Sequence, residues 1–343
     1  MKGLKSLKKV GSGTYKLENP VEILGFESMV GKKEKEGPLG KYFLAYSDDE
    51  YFGEKTFEKA ESYMQKEVLK NVIEKSGFTP EDIEFIFAGD LLNQCISSNY
   101  SIRDYGMQFF GLYGACSTMA EGLILSTIAI DGNFIEKAIA ITSSHFCTAE
   151  RQFRFPLEYG SQRPPSAQWT VTGAGGVLLG KNSNKNSNPK IIDICPGSIC
   201  DMGLTDINNM GAAMAPAAAL TLQRYFSDTK TSPDDFDLIL SGDLGTIGHS
   251  LTTRLLHHEG IILGDNYKDC GMLIFDIQNQ DTHSGGSGCG CAASVLTGYV
   301  LPEMKKGKFK NVLFMATGAL MSPLSTLQDE SIPGIAHLVH ITA

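Results

Sequence analysis

No stretch of this chain is long and apolar enough to cross a bilayer as a helix. The first ten residues, Met-Lys-Gly-Leu-Lys-Ser-Leu-Lys-Lys-Val, are basic but lack the continuous apolar core of a secretory signal peptide. Lys2, Lys5, Lys8 and Lys9 could favour an anionic membrane surface or simply be solvated. Cysteine is scarce. Eight thiols in 343 residues, at 95, 116, 147, 195, 200, 270, 289 and 291, are too few for a disulfide framework and point to a reducing compartment. Neither Cys195/Cys200 nor Cys289/Cys291 has zinc-ribbon spacing, and no histidine pair completes one, so no metal site is expected. Positive charge is also short, with 30 Lys and Arg against 39 Asp and Glu and a formal net charge of −9. That balance argues against nucleic acid as a general partner and requires any anion site to be locally positive. The glycines at 285, 286, 288 and 290 permit close backbone approach, but no Walker lysine follows them.

What is present is ordinary globular material, 42% hydrophobic and 20% charged, enough for one large or two ordinary domains. Its centre is Gly111-Leu-Tyr-Gly-Ala-Cys-Ser-Thr-Met-Ala-Glu-Gly122. Met107 to Tyr113 reads as a short buried strand, Gly114 punctuates it, and a buried helix starts from Ala115. Cys116 therefore sits at a strand-to-helix turn, where the positive end of the helix dipole would lower a thiol pKa, or where free N–H groups would hold an anion. Elsewhere a strand is expected over Val21 to Phe26, a surface loop over Gly31 to Asp49 and a helix over Phe57 to Glu74. A further strand, Ile83 to Ala88, ends in the polar tip Gly89-Asp-Leu-Leu-Asn-Gln94.

This grammar recurs. Pro80-Glu-Asp-Ile-Glu-Phe-Ile-Phe-Ala-Gly-Asp-Leu91 is echoed by Pro233-Asp-Asp-Phe-Asp-Leu-Ile-Leu-Ser-Gly-Asp-Leu244, at a constant offset of 153 residues. Ala115-Cys-Ser-Thr118, with the Gly-Asn-Phe and strand that follow, is matched by Gly290-Cys-Ala-Ala293 and its sequel at an offset of 175. Two halves of one topology are implied, with a site where they meet at the strand ends. Asp90 and Asp243 occupy equivalent strand ends, where they could pair across the seam or orient a ligand-bound water or metal ion. Between the halves, residues 150 to 165 are aromatic and cationic, and the Asn/Ser-rich run from Lys181 to Pro189 reads as a solvated hinge.

A duplicated α/β chain with a cysteine at the start of the first half's buried helix resembles the thiolase-fold superfamily. The resemblance implies a five-layer α-β-α-β-α fold from two duplicated halves, residues 1–180 carrying the elbow cysteine and residues 190–343, meeting near residue 185. It places Cys116 at the nucleophile position of the condensing enzymes. The partners depart from that pattern. Ser241-Gly-Asp-Leu-Gly245 stands where ketoacyl synthase III-like enzymes show Pro-His-Gln-Ala-Asn, and Gly286-Ser-Gly-Cys-Gly-Cys-Ala292 where they show Gly-Asn-Thr-Ser-Ala.

Within the superfamily the chain is similar, nearly end to end, to the stage V sporulation protein AD family. The segments that carry this are Ala88-Gly-Asp-Leu-Leu-Asn-Gln94, Phe110-Gly-Leu-Tyr-Gly-Ala-Cys-Ser-Thr118, Thr148-Ala-Glu-Arg-Gln-Phe-Arg154 and Gly285-Gly-Ser-Gly-Cys289. The resemblance implies a non-catalytic protein that binds dipicolinic acid, pyridine-2,6-dicarboxylate, and takes part in its uptake into the developing spore. It further implies a peripheral place at the spore inner membrane beside the membrane proteins of the stage V sporulation A system, and a homodimer formed through the first-half sheet. No cofactor is expected; whether calcium accompanies the ligand is left open. The alternative is an acyl-transfer or condensing enzyme with Cys116 as nucleophile.

A small planar dianion needs positive charge, N–H donors and a flat wall. Arg151 and Arg154 can pair with carboxylates, the helix start from Ser117 offers N–H groups, and Phe153 or Phe155 can cover the ring. Surface ion pairing with Glu150 or Glu158 is the competing role of the arginines. His145 follows a strand end, and His283 precedes the Ser-Gly-Gly-Ser-Gly turn that contains Ser287. The expected ligand-binding set is Cys116, Ser117, Asp90, Asn93, His145, Arg151, Arg154, His283 and Ser287.

Overall fold

The computed structural model describes residues 8–153, 163–181 and 188–343, so the expected junction near residue 185 lies outside the described residues. In the first half, β1 (Thr14–Val30), α1 (Phe57–Lys75), β2 (Phe85–Gly89), β3 (Gln108–Leu112), α2 (Thr118–Asp131), β4 (Lys137–Ser144), α3 (Phe146–Phe153) and β5 (Gly173–Gly180) follow in order. The second half has β6 (Lys190–Cys195), α4 (Met210–Thr229), β7 (Leu238–Ser241), α5 (Gly245–His258), β8 (Tyr267–Asp269), α6 (Cys289–Val295), β9 (Asn311–Ala319) and β10 (Gly334–Thr342).

The strands form one hydrogen-bonded succession, β8-β7-β9-β10-β6-β1-β5-β4-β2-β3. Read outward from its middle, each half gives the same order, with the last strand of each half antiparallel to its neighbours. The two copies join where β1 pairs antiparallel with β6, Tyr15 opposite Ile194 and Glu22 opposite Lys190. Local chemistry repeats too. Thr79 and Asp82 close a capping box over Pro80–Asp82, and Ser232 and Asp235 close its counterpart over Pro233–Asp235.

Layering follows from which helix faces are apolar. α2 has small and aliphatic residues on nearly all sides, and all of α6 is buried, so these two form the central layer between the halves. α1 keeps charged residues on one face and covers β1, β4 and β5 from outside, while α4 covers β9 and β10. The result is the five-layer α-β-α-β-α arrangement of the thiolase fold.

Two local expectations change. Met107 to Tyr113 is not a buried strand: β3 is the outermost strand, and Gln108, Phe110 and Gly111 are exposed. Its apolar character serves one covered face and an open edge. Gly31 to Asp49 is not simply a surface loop either, because the helical turn Lys32–Lys35 and the buried Leu39 and Phe43 pack it down. The Glu34 carboxylate there accepts from the Thr172 amide at 2.9 Å, and burial pushes its pKa up to about 8.

Candidate functional site

The elbow forms as the sequence requires. After β3 the chain turns at Gly114, Ala115 takes a left-handed conformation at φ 51°, and a single 3-10 turn over Ala115–Ser117 carries Cys116 into α2. The second half closes directly on this turn. A Cβ on Gly318 of β9 would lie 2.8 Å from the Gly114 carbonyl oxygen, so only glycine lets strand and elbow touch.

Just beyond β7, Asp243 reaches the same place. Its Oδ1 accepts from the Thr317 hydroxyl at 2.8 Å and its Oδ2 from the Gly288 amide at 3.0 Å, and the carboxylate stands near the buried Cys116 thiol. Gly288 can offer that amide because it adopts φ 103°, which a side chain rarely tolerates. Burial pushes the Asp243 pKa up to about 7, although Cys116, Gly288 and Thr317 act against it. Burial, then the Asp243 carboxylate, drives the Cys116 thiol well above the ordinary cysteine range. This direction is opposite to the lowering expected from the helix dipole, because a desolvated thiol near a carboxylate is harder to ionise.

Cys116 forms part of the wall of a cavity of about 350 Å³. Tyr113 and Leu91 stand on one side, and Ala149, Glu150 and Phe153 of α3 on another. Thr170 and Ser287 come from two short paired strands, Trp169–Thr170 and Gly286–Ser287. Met210 at the start of α4 and the Leu320–Ser322 segment with Ser325 complete the lining. Hydroxyl groups and apolar surface predominate, and no lysine or arginine lines it among the described residues.

Of the residues singled out from sequence, Cys116 and Ser287 line this cavity. Ser117 is turned inward, its hydroxyl donating to the Gly114 carbonyl at 2.7 Å. Asp90 does not pair with Asp243. It is fully buried and accepts from the Leu92 amide, the Ser98 amide and the Ser98 hydroxyl, which makes it a bracket for the polar tip after β2. Asn93 is exposed and accepts from the Tyr113 hydroxyl at 3.2 Å, outside the cavity lining.

His145 is buried away from the cavity. Its Nε2 lies 2.9 Å from the Glu50 carbonyl oxygen while Nδ1 accepts from the Cys147 amide, so the neutral ring donates through Nε2, and burial lowers its pKa. Arg151 faces the surface and pairs with Glu58, its nearest carboxylate along the outer face of α1. Arg154, Phe155 and Glu158 lie outside the described residues. His283 bonds Asp281 at 3.0 Å and does not line the cavity. The contact sequence reading missed is that of Asp243 with Cys116; the strand-end position of Asp243 was legible, but its direction was not. Met210, Ser322 and Ser325 were missed as well, and only the Ser322-Pro323 helix-cap pattern could have drawn attention to that segment.

Comparison with known proteins fits this geometry. The family described as Stage V sporulation protein AD (SpoVAD) matches residues 11–342. The Bacillus subtilis (strain 168) protein Stage V sporulation protein AD is 40% identical over 331 residues, covering 96% of this chain and 97% of the relative. Among solved structures, cerulenin-bound OleA of Xanthomonas campestris superposes with a TM-score of 0.61 at 10% identity, over 95% of this chain and 100% of that one. The 3-oxoacyl-[acyl-carrier-protein] synthase III from Aquifex aeolicus VF5 gives 0.54 at 13% identity, over 94% and 100%. At such identities the structural likeness speaks for the thiolase fold alone.

Proposed function

The chain belongs to the stage V sporulation protein AD family, which gives it a role in sporulation, and within that role we propose that it binds dipicolinic acid without catalysing a reaction on it. The observation that carries this is the burial of the Cys116 thiol near the equally buried Asp243 carboxylate. Acyl transfer needs a thiolate and a base to maintain it. Here burial and the nearby Asp243 charge both oppose ionisation of the thiol, so the elbow is better suited to shape a binding wall than to attack a thioester.

The cavity supports the ligand class. Its volume falls in the range of small-molecule sites. Tyr113 and Phe153 offer aromatic walls, and Thr170, Ser287, Ser322 and Ser325 bring hydroxyls for carboxylate oxygens. The acids Glu150 and Asp243 at the lining and behind it suit a ligand whose two carboxylates are already neutralised by calcium. In this reading the protein works at the spore inner membrane beside the membrane proteins of the stage V sporulation A system. It would dock there peripherally, since no helix among the described residues is long and apolar enough to cross a membrane.

Phe153→Ala and Ser287→Ala test the placement. Each should weaken dipicolinate binding about tenfold, the equivalent of one lost ring contact or hydrogen bond; unchanged affinity in both would move the ligand elsewhere. A second reading, acyl transfer, rests on the exposure of Cys116 to the cavity within a fold shared with a synthase III. Incubation with a panel of acyl-CoA donors should leave Cys116 unmodified by mass spectrometry, and an acyl adduct on it would favour the enzyme.

A further inference from the structure

Trp169 is the single tryptophan of the chain, and two cations share its ring. Lys33 Nζ lies 4.0 Å and Arg163 Cζ 4.6 Å from the indole centroid, while Phe146 stacks on the same ring at 3.7 Å. An indole attracts one cation, but two crowded on it repel each other. Burial, then the Arg163 charge, holds the Lys33 ammonium below the ordinary lysine range.

Compensation by carboxylates is incomplete. Arg163 Nη2 donates to the Asp281 backbone oxygen at 2.8 Å and to its carboxylate at 2.9 Å, and His283 leans on the same carboxylate at 3.0 Å. Asp281 is 77% exposed, which weakens its hold on either. Lys33 has no carboxylate within 4.0 Å among the described residues. The other guanidinium nitrogen, Arg163 Nη1, is buried and makes no hydrogen bond among the described residues, although the side chain is only 15% exposed. A buried charged donor without a partner is uncommon in native structures and calls for an ion or water at that position.

We propose that Lys33 and Arg163 form an oxyanion site beside Trp169, holding a phosphate or carboxylate group between the ammonium and Nη1. A guanidinium fork and an ammonium are the two groups proteins use most for such anions. The site is distinct from the cavity. Side chains alternate along the two-residue strand, so Thr170 lines the cavity and Trp169 points to the other side. The dipicolinate reading is not needed for it.

Trp169 also supplies the readout, since all tryptophan emission comes from this one ring. Titrating the full chain with inorganic phosphate, and separately with glutarate, at ionic strength fixed by chloride should give a saturable change in emission with at least one of them. A response to phosphate alone assigns phosphate chemistry, one to glutarate alone carboxylate chemistry, and one to both a general oxyanion site. The midpoint should weaken at least tenfold in Lys33→Met, which keeps an apolar stem over the indole, and in Arg163→Lys, which keeps charge but loses the fork. Trp169→Phe should still bind the same anion by calorimetry. Absence of a saturable response to either anion at tens of millimolar, or an unchanged midpoint in Lys33→Met, would overturn the proposal.

Discussion

Cys116 and Asp243 show how one neighbour redirects a side chain whose position is otherwise fixed. Small residues and glycines bring Cys116 to the elbow, and that much was legible because a turn between a strand and a buried helix leaves a local pattern. The partner comes from 127 positions later in the chain, at a strand end whose side-chain direction no local pattern encodes. The same limit misdirected His145 and Arg151, whose partners, a carbonyl on a loop and a carboxylate on α1, are long-range choices. Alkylation of Cys116 by iodoacetamide at pH 7 should run well below the rate of free cysteine. Asp243→Asn removes the opposing charge and should raise the rate. Fast alkylation of the unmodified protein at neutral pH would contradict this account of the thiol.

Elements were easier to read than their surroundings. The echo of Pro80-Glu-Asp in Pro233-Asp-Asp is the same capping box built twice, and the offset repeat reappears as a repeated strand order. Strand lengths were not legible, since β1 runs through Pro20 with an irregular register that tertiary pairing tolerates. Nor was the outer position of β3, because an edge strand and a core strand share an apolar run. The seam between elements gives a direct test. Gly318→Ala places a methyl group against the Gly114 carbonyl oxygen, and β9 and the elbow must separate. Urea denaturation should show a loss of about 1–3 kcal/mol, the usual range for overpacking; an unchanged midpoint would mean that the seam is looser than drawn.

At the scale of the whole molecule, the ladder among the described residues ends at the edge strand β3, where Phe110 is 46% exposed. A second copy paired through that edge would cover both the edge and Phe110. Light scattering should therefore report a homodimer at tens of micromolar, and Phe110→Glu should shift it to monomer; a monomeric parent protein would rule the pairing out. Buried acids set the response to pH. Asp243 and Glu34 are raised from ordinary carboxyl values to about 7 and about 8. From about pH 4 up to those values the native state therefore holds more protons than the unfolded chain, and stability falls as pH rises. The melting temperature should decline between about pH 5 and pH 8, less steeply in Asp243→Asn, and a melting temperature that climbs across this window would contradict the assignment.

The central claim is that the cavity beside Cys116 is a dedicated dipicolinate site. Calorimetric titration of the purified chain with dipicolinate, with and without calcium, against benzene-1,3-dicarboxylate, which keeps both carboxylates but lacks the ring nitrogen, tests it most directly. The account predicts saturable binding of dipicolinate, tighter with calcium, and none of the control. No heat of binding with dipicolinate under either condition, or equal binding of the control, would contradict it.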